Sequence, residues 1–148
     1  MKKLLIVMFL AAMFSNCQND IEDVPFSEYS LEGTPASWVN VNYFDGSYKV
    51  VTINSNNELK IYVEGDYPPI DFTKKTLVLA YGCHSGTAFG LDIKFQHVSG
   101  RDYVMTASGM ATAAAAMFDW KFAIVVDKLP HNSKIQLNLN IINKATES

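Results

Sequence analysis

An unbroken apolar run near the middle of the chain, Leu77 to Tyr81, restricts the possible folds more than any other feature. A segment that is apolar at every position fits a strand covered on both faces, because alternate side chains of a strand point to opposite sides. After a glycine-containing stretch, the segment from Leu91 to His97 alternates apolar residues with Asp, Lys and Gln. This alternation predicts a half-buried strand. The region from Ile70 to Val98 is therefore expected to form the centre of a β-rich domain.

Further strand patterns lie on both sides of this centre. Asp45-Gly46 separates the β-rich runs 38–44 and 48–53, and an Asp-Gly pair in that position is typical of a hairpin turn. Residues 135–141 alternate Ile and Leu with Gln and Asn, which predicts a half-buried antiparallel strand. We therefore predict a mainly β fold, an antiparallel β-sandwich or partly open barrel of about seven to eight strands.

One short helix is expected within this β pattern. Ser55 and Glu58 form a capping-box pair, in which a hydroxyl and a carboxylate satisfy free amides of the first turn. The predicted helix covers about residues 56–64 and ends at Gly65 and the following prolines. The segment from Gly109 to Met117 is open to two interpretations. Its alanines favour a helix, whereas its position between strong strands favours a strand or an irregular crossing.

The chain begins with two lysines and an apolar run to Phe14, followed by Ser15-Asn16-Cys17. A charged start and a short apolar stretch are typical of a secretory signal, and the run is shorter than the roughly 20 residues of a membrane-spanning helix. Phe14 to Cys17 resembles a relaxed bacterial lipobox. We predict a lipoprotein signal peptide over residues 1–16 and lipidation of Cys17. The alternative is an ordinary secretory signal in which Cys17 is incidental.

Residues 17–36 are acidic and lack periodicity, so we predict a tether there and a single β-rich domain over residues 37–148. Removal of residues 1–16 deletes two lysines and no acids, which changes the formal net charge from −3 to −5. Such a charge argues against nucleic acid as a partner. An acidic stretch after a lipidated cysteine also resembles the surface-export signal of Bacteroidetes lipoproteins. We expect a bacterial envelope protein that is attached to the outer membrane by its lipid anchor alone. The resemblance to the export signal also implies display on the cell surface.

No catalytic constellation is visible in the sequence. Cys83 and His84 are adjacent, so a strand directs their side chains to opposite faces. His84, His97 and His131 lack the spacing of a metal motif. Phosphate-loop, dinucleotide and zinc motifs are absent from the sequence. We therefore expect no enzyme activity, no metal and no cofactor, with Cys83 as a small buried residue.

After the capped helix come the entry segment Asp71 to Leu77, the loop His84-Ser85-Gly86 and the strand segment Asp92-Ile93-Lys94. This order of elements and motifs resembles the C-terminal domain of protease-complex-associated (PrcB-like) lipoproteins. The likeness covers roughly residues 52–142. The sequence departs from the family in its separated glycines, Gly86 and Gly90, and in its alanine-rich run. The resemblance implies a protein that associates with or restrains a secreted protease.

A non-enzymatic protein-binding lipoprotein is the function we expect, with recognition carried by loops on a rigid scaffold. The expected binding loop comprises Cys83, His84, Ser85, Gly86, Thr87 and Gly90. The expected aromatic contacts are Trp38, Tyr43 and Trp120. The alternative is a glycan-binding accessory lipoprotein in which Trp38 and Tyr43 stack on sugar rings. An exposed flat row of aromatics would favour the glycan, and buried aromatics would favour the protein partner.

Overall fold

A computed structural model describes residues 20–41, 47–86, 88–112 and 117–144. These residues form ten strands and one helix: β1 (Glu22–Asp23), β2 (Phe26–Glu28), β3 (Ser37–Trp38), β4 (Tyr48–Ile53), α1 (Asn56–Leu59), β5 (Val63–Glu64), β6 (Lys75–Ser85), β7 (Ala88–Ser99), β8 (Asp102–Thr112), β9 (Met117–Asp127) and β10 (Lys134–Lys144). The predicted mainly β fold is confirmed. The strand number exceeds the prediction because β1, β2, β3 and β5 have only two or three residues, too few to show alternation.

The long strands form two four-stranded sheets. Sheet A has the order β1-β7-β8-β10 and sheet B the order β2-β9-β6-β4, while β3 and β5 form a separate two-stranded ribbon. Side chains of both sheets meet in one buried cluster that contains Val78 and Ile124 of sheet B and Phe95, Met105 and Leu137 of sheet A. The architecture is a β-sandwich in which antiparallel pairing dominates, and the sheets do not close into a barrel.

The central position predicted for the apolar run is confirmed. β6 pairs with β4 on one side and with β9 on the other, where the ladder runs from Lys75 opposite Asp127 to Ser85 opposite Met117. Val78 and Ala80 face the cluster between the sheets. Leu77, Leu79 and Tyr81 face a second cluster, formed with α1, β5 and the irregular segments around them. Both faces of β6 are therefore buried, as an unbroken apolar strand requires.

The last strand runs parallel to its neighbour. β8 lies in sheet A, β9 returns through sheet B, and β10 enters sheet A again in the direction of β8. Lys134 lies opposite Asp102 and Lys144 opposite Thr112. The antiparallel pairing predicted for residues 135–141 is therefore wrong, because the chain reverses twice between the two strands. The predicted alternation is confirmed, since Leu137 is buried while Gln136 and Asn138 are exposed.

The strand interpretation is confirmed for part of the alanine-rich segment. Gly109 to Thr112 complete β8, and Met117 begins β9. Residues 113–116 lie outside the described residues.

The segment after Asp20 belongs to the fold, so the predicted tether over residues 17–36 requires correction. β1 pairs with β7, and β2 pairs with β9. Tyr29 and Leu31 are buried in the cluster on the outer face of sheet B. The acids of this segment, Glu22, Asp23 and Glu28, are exposed, as in a tether. The apolar residues between them, Val24 and Phe26, pack between the sheets and make the segment part of the fold. Cys17 and the signal peptide lie outside the described residues.

The helix is shorter than predicted, Asn56–Leu59 instead of 56–64. Its cap follows the expected pattern, because the Ser55 hydroxyl accepts a hydrogen bond from the Glu58 amide at 3.2 Å. The Glu58 carboxylate in turn accepts from the amide of Asn54. Val63 leaves the helical face and pairs as a strand with Trp38. Tertiary pairing thus overrides the helical periodicity beyond Lys60.

The predicted hairpin between residues 38–44 and 48–53 is wrong for Trp38, which pairs with Val63, and its arm from residue 42 to 44 lies outside the described residues. β3 pairs with β5, and β4 pairs with β6. The Asp45-Gly46 turn itself lies outside the described residues.

Candidate functional site

The predicted binding loop is mostly strand. Cys83, His84 and Ser85 continue β6 and pair with β9, and Gly90 lies in β7. Of the residues predicted in this loop, only Gly86 is described between β6 and β7, and Thr87 lies outside the described residues. The loop prediction is wrong for the first three residues and for Gly90, because the β6–β9 ladder continues past the glycine at position 82.

Cys83 is buried, with 6% of its surface exposed. His84 is half-buried, and its Nδ1 atom has no hydrogen-bond partner among the described residues. The two side chains leave a strand on opposite faces. This geometry does not place the imidazole beside the sulfur.

Replacement of Cys83 by alanine is expected to lower the free energy of unfolding by about 1 kcal/mol, because a small buried group is lost. Chemical denaturation measures this change. Ser85→Ala, at an exposed position of the same strand, is the control and should change stability by less than about 0.5 kcal/mol. Rapid labelling of the native protein by a thiol reagent would contradict burial of the sulfur.

The histidines do not assemble a metal site. The Nε2 atom of His97 lies 3.1 Å from the Gly100 carbonyl oxygen, and its ring lies 5.0 Å from that of Tyr103. This places His97 at the rim of the core. Among the described residues no three His, Cys, Asp or Glu side chains group as metal ligands.

The predicted aromatic contacts are largely buried. Trp38 is half-buried and meets the ring of Tyr29 edge-on, with centroids 6.1 Å apart. Trp120 is 9% exposed and stacks on Phe122 with centroids 5.4 Å apart. Tyr43 lies outside the described residues. Trp38 and Trp120 therefore do not form an exposed flat row.

A cleft of about 570 Å³ opens at the edge of the sandwich, between β7 and β9. We call it the edge cleft. Its lining residues are Glu28, Tyr29, Ser30, Trp38, Gly86, Leu91, Ile93, Phe118, Asp119, Trp120, Lys121, Phe122, Ala123 and Ile124. Three residues that the sequence nominated, Trp38, Gly86 and Trp120, are brought together here. Cys83, His84, Ser85 and Gly90 do not line it.

The edge cleft exists because the N-terminal strands cover only half of this side of the sandwich. β1 pairs with His97 and Gln96 of β7, and the chain then crosses from sheet A to sheet B. β2 pairs with residues 124–126 of β9, and the last bond joins the Tyr29 amide to the Ala123 carbonyl at 2.9 Å. Past this point the outer edges of β7 and β9 have no strand between them in the described part of the chain.

The wall formed by Trp120 depends on a glycine in the neighbouring strand. Gly82 lies directly opposite Trp120 in the β6–β9 ladder. A Cβ atom at position 82 would lie 2.8 Å from the indole Cζ2 and 2.7 Å from the Ser47 carbonyl oxygen. The missing side chain therefore lets the indole lie close against β6. The indole nitrogen has no hydrogen-bond partner among the described residues.

The lining combines apolar and charged residues. Glu28, Asp119 and Lys121 are exposed, whereas Tyr29 and Trp120 are buried. Phe118 keeps 42% of its surface exposed inside the cleft. Aromatic and aliphatic residues together with polar ones are the usual composition of a protein-binding surface.

Tyr29, which the sequence analysis assigned to the tether, forms one wall of the edge cleft. Its hydroxyl donates a hydrogen bond of 2.8 Å to the Pro68 carbonyl. Burial, and secondarily the neighbouring Tyr67, raises the pKa of this hydroxyl from 10.0 to about 12. In the sequence, the feature that indicates a folded segment is the set of apolar residues at positions 24, 26, 29 and 31, which lie among the acids.

The raised pKa of Tyr29 predicts loss of stability at high pH. The unfolded chain releases this proton near pH 10, whereas the folded chain holds it to about pH 12. The contribution of the protonated Tyr29 hydroxyl to the free energy of unfolding is fully present below pH 10 and is lost as the pH rises toward 12. Urea denaturation measured across this range should show a falling free energy of unfolding, and Tyr29→Phe should lack this component. An identical pH dependence in both proteins would contradict the assignment.

The entry motif of the resemblance has a structural role. The Asp71 carboxylate accepts from the amide of Thr73 at 3.1 Å, and the Lys75 amide donates to the Asp71 carbonyl at 2.9 Å. Hydrogen bonds from Thr73, chiefly that of its hydroxyl, lower the pKa of Asp71. The motif therefore forms the turn that leads into β6.

A second cleft, of about 470 Å³, is lined by polar residues around Lys128, including His131. The Lys128 ammonium group donates to the Phe72 carbonyl at 2.8 Å. Its charge is thus engaged in holding the entry turn, and this cleft is less suited than the edge cleft to bind a partner.

Comparison with protein-family models, with curated proteins and with solved structures found no match. Within the described residues no helix has the length and apolarity needed to cross a bilayer.

Proposed function

We propose that this protein is a non-enzymatic lipoprotein of the bacterial envelope whose β-domain binds another protein through the edge cleft. The observation that carries the proposal is the cleft itself: apolar and aromatic side chains, including the exposed Phe118, line it together with charged residues. Such surfaces supply the desolvated centre on which protein recognition depends.

A protein partner accounts for the aromatic residues better than a glycan does. Sugar rings stack on exposed flat aromatic faces, whereas Trp38 packs against Tyr29 and Trp120 against Phe122. The resemblance to protease-associated domains supports a secreted protease as the partner, which this protein would hold or restrain.

The anchor belongs to the same proposal. Lipidation of Cys17 would tie the domain to the outer membrane, with the described fold beginning only a few residues later. Cys17→Ala is expected to move the protein from the membrane fraction to the soluble fraction, because stable anchoring depends on the acyl chains. A variant that stays membrane-bound through detergent-free washing would contradict this anchor.

A pull-down from the native envelope tests the binding proposal. Phe118→Glu places a charge in the edge cleft and should abolish capture of the partner without unfolding the domain. Ile61→Glu is the matched control, since Ile61 is 54% exposed and lies outside the cleft. A bulky residue at Gly86, whose φ of 87° already disfavours side chains, should also weaken capture. Recovery of no protein, together with retention on an immobilised polysaccharide, would support glycan binding instead.

A further inference from the structure

Among the described residues, part of β9 has no strand paired to its outer edge beside the edge cleft. The Ala123 carbonyl faces β2, because it accepts the Tyr29 amide. Alternate residues of a strand direct their backbone groups to the same side, so Lys121 and Asp119 also direct theirs outward. Neither residue makes a backbone hydrogen bond on that side with any part of the chain that the structure describes. An edge of this kind is a template for a further strand.

Other edges of the sandwich are less suitable. The register of β7 shifts between Phe89 and Asp92, where Gly90 has a φ of 62°. Such a bulge interrupts the row of hydrogen-bonding groups. On β10, the Leu137 carbonyl accepts a hydrogen bond from the Tyr48 hydroxyl at 3.3 Å. Residues 117–122 of β9 form a regular stretch next to an apolar cleft, and no other described strand covers its outer edge.

The cleft also provides surfaces for both faces of an added strand. Trp120 and Phe122 belong to the side of β9 that faces sheet A, so one set of incoming side chains would point toward Leu91 and Ile93. The alternate set would point toward Trp38, on the other side of sheet B. A second copy of this chain, paired through its own β9, would not fill the space toward sheet A, because Trp120 and Phe122 of that β9 already pack within its own sandwich.

We infer that the partner binds as an extended peptide segment that adds to sheet B along residues 117–122 of β9. The segment runs antiparallel to β9, in line with β2, and carries apolar side chains at alternate positions. Main-chain hydrogen bonds to Asp119 and Lys121 supply the pairing, and the edge cleft receives the side chains, as in other cases of strand addition. This inference rests on the proposed function and specifies its mode of binding.

Proline substitution tests the backbone directly. Lys121→Pro removes the outward amide hydrogen, and proline is tolerated on edge strands where that group faces away from the sheet. Lys121→Ala removes the same side chain and keeps the amide, which makes it the matched control. Circular dichroism and thermal unfolding establish that both variants fold. The probes are random peptides displayed on phage and selected on the full-length wild-type protein, with the strongest binder synthesised.

Selected peptides should share apolar residues at every second position. Their affinity should fall about 10-fold to 100-fold with Lys121→Pro, because an acceptor of the peptide is left unsatisfied. Lys121→Ala keeps the backbone amide, so its loss of affinity measures the side chain alone and should be much smaller than that of Lys121→Pro. Peptide addition should also slow hydrogen exchange of the Asp119 amide. If Lys121→Pro does not fold, hydrogen exchange of the Asp119 amide in the wild-type protein tests strand addition instead. Slower exchange with the peptide supports it, and unchanged exchange contradicts it.

Equal binding to wild type and to a folded Lys121→Pro variant would overturn strand addition. A wild-type dimer that dissociates in the Lys121→Pro variant would also overturn the inference, because a second copy of this chain would then pair with β9. If Lys121→Pro still captures the native partner while Phe118→Glu does not, strand addition is contradicted and the proposed function stands. Failure to capture any protein or select any peptide overturns both.

Discussion

Replacement of Phe95 by alanine is expected to lower the free energy of unfolding by about 3–5 kcal/mol, the usual range for a large buried aromatic. Phe95 is 1% exposed and lies in the cluster between the two sheets. Its ring is stacked on that of Tyr103, with centroids 5.4 Å apart and planes within 4°. The substitution removes this contact and leaves a cavity that two paired sheets cannot easily close.

The measurement is urea denaturation of purified protein. Phe118→Ala is the matched control, because the same side chain is lost from a position that is 42% exposed, and its effect should be below about 1 kcal/mol. A loss of similar size in the two variants would contradict the placement of Phe95 between the sheets. The comparison also separates the stabilising core from the edge cleft, since only Phe118→Ala should affect partner capture.

The centre of the fold could be predicted because its signal is strong and local. The apolar run of β6 and the alternation of β7 and β10 each follow from which faces are buried. The pairing of strands is a different question, because it depends on the path of the chain between them. The sequence of β10 is compatible with either direction, and only the return of β9 through sheet B makes it parallel to β8.

The edge cleft was less predictable than the sheets. Its position depends on where β2 ends, near Tyr29, and that segment was interpreted as a tether because of its acids. Val24 and Phe26 of this segment pack between the sheets, and Tyr29 and Leu31 are buried on the outer face of sheet B. The sequence predicts Gly86 within a loop that starts at Cys83, whereas the structure places it directly after the end of β6, in the lining of the edge cleft. Short strands with exposed acids carry too little periodicity to be recognised from sequence.

Gly82 is the second position at which a small change should have a large effect. Gly82→Ala is expected to lower the free energy of unfolding by about 3 kcal/mol, the upper part of the usual range for overpacking. The added Cβ would lie 2.7 Å from the Ser47 carbonyl oxygen, 2.8 Å from the Trp120 ring and 2.9 Å from the Tyr48 Cβ. Two of these groups belong to β4 or its entry and the third to β9, so relief of the clash would separate strands that pair with β6.

Gly90→Ala is the matched control for this prediction, since it changes another glycine of the same region. Its Cβ would meet no atom of the described residues within 4 Å. The φ of 62° costs about 1–2 kcal/mol for a residue with a side chain. In a Trp38→Phe background Trp120 is the sole tryptophan, so its fluorescence should change in the folded Gly82→Ala protein and not in Gly90→Ala. Because Trp120 lines the edge cleft, Gly82→Ala should also weaken partner capture in the fraction that remains folded. An unchanged fluorescence spectrum together with wild-type stability would show that the indole does not lie against β6.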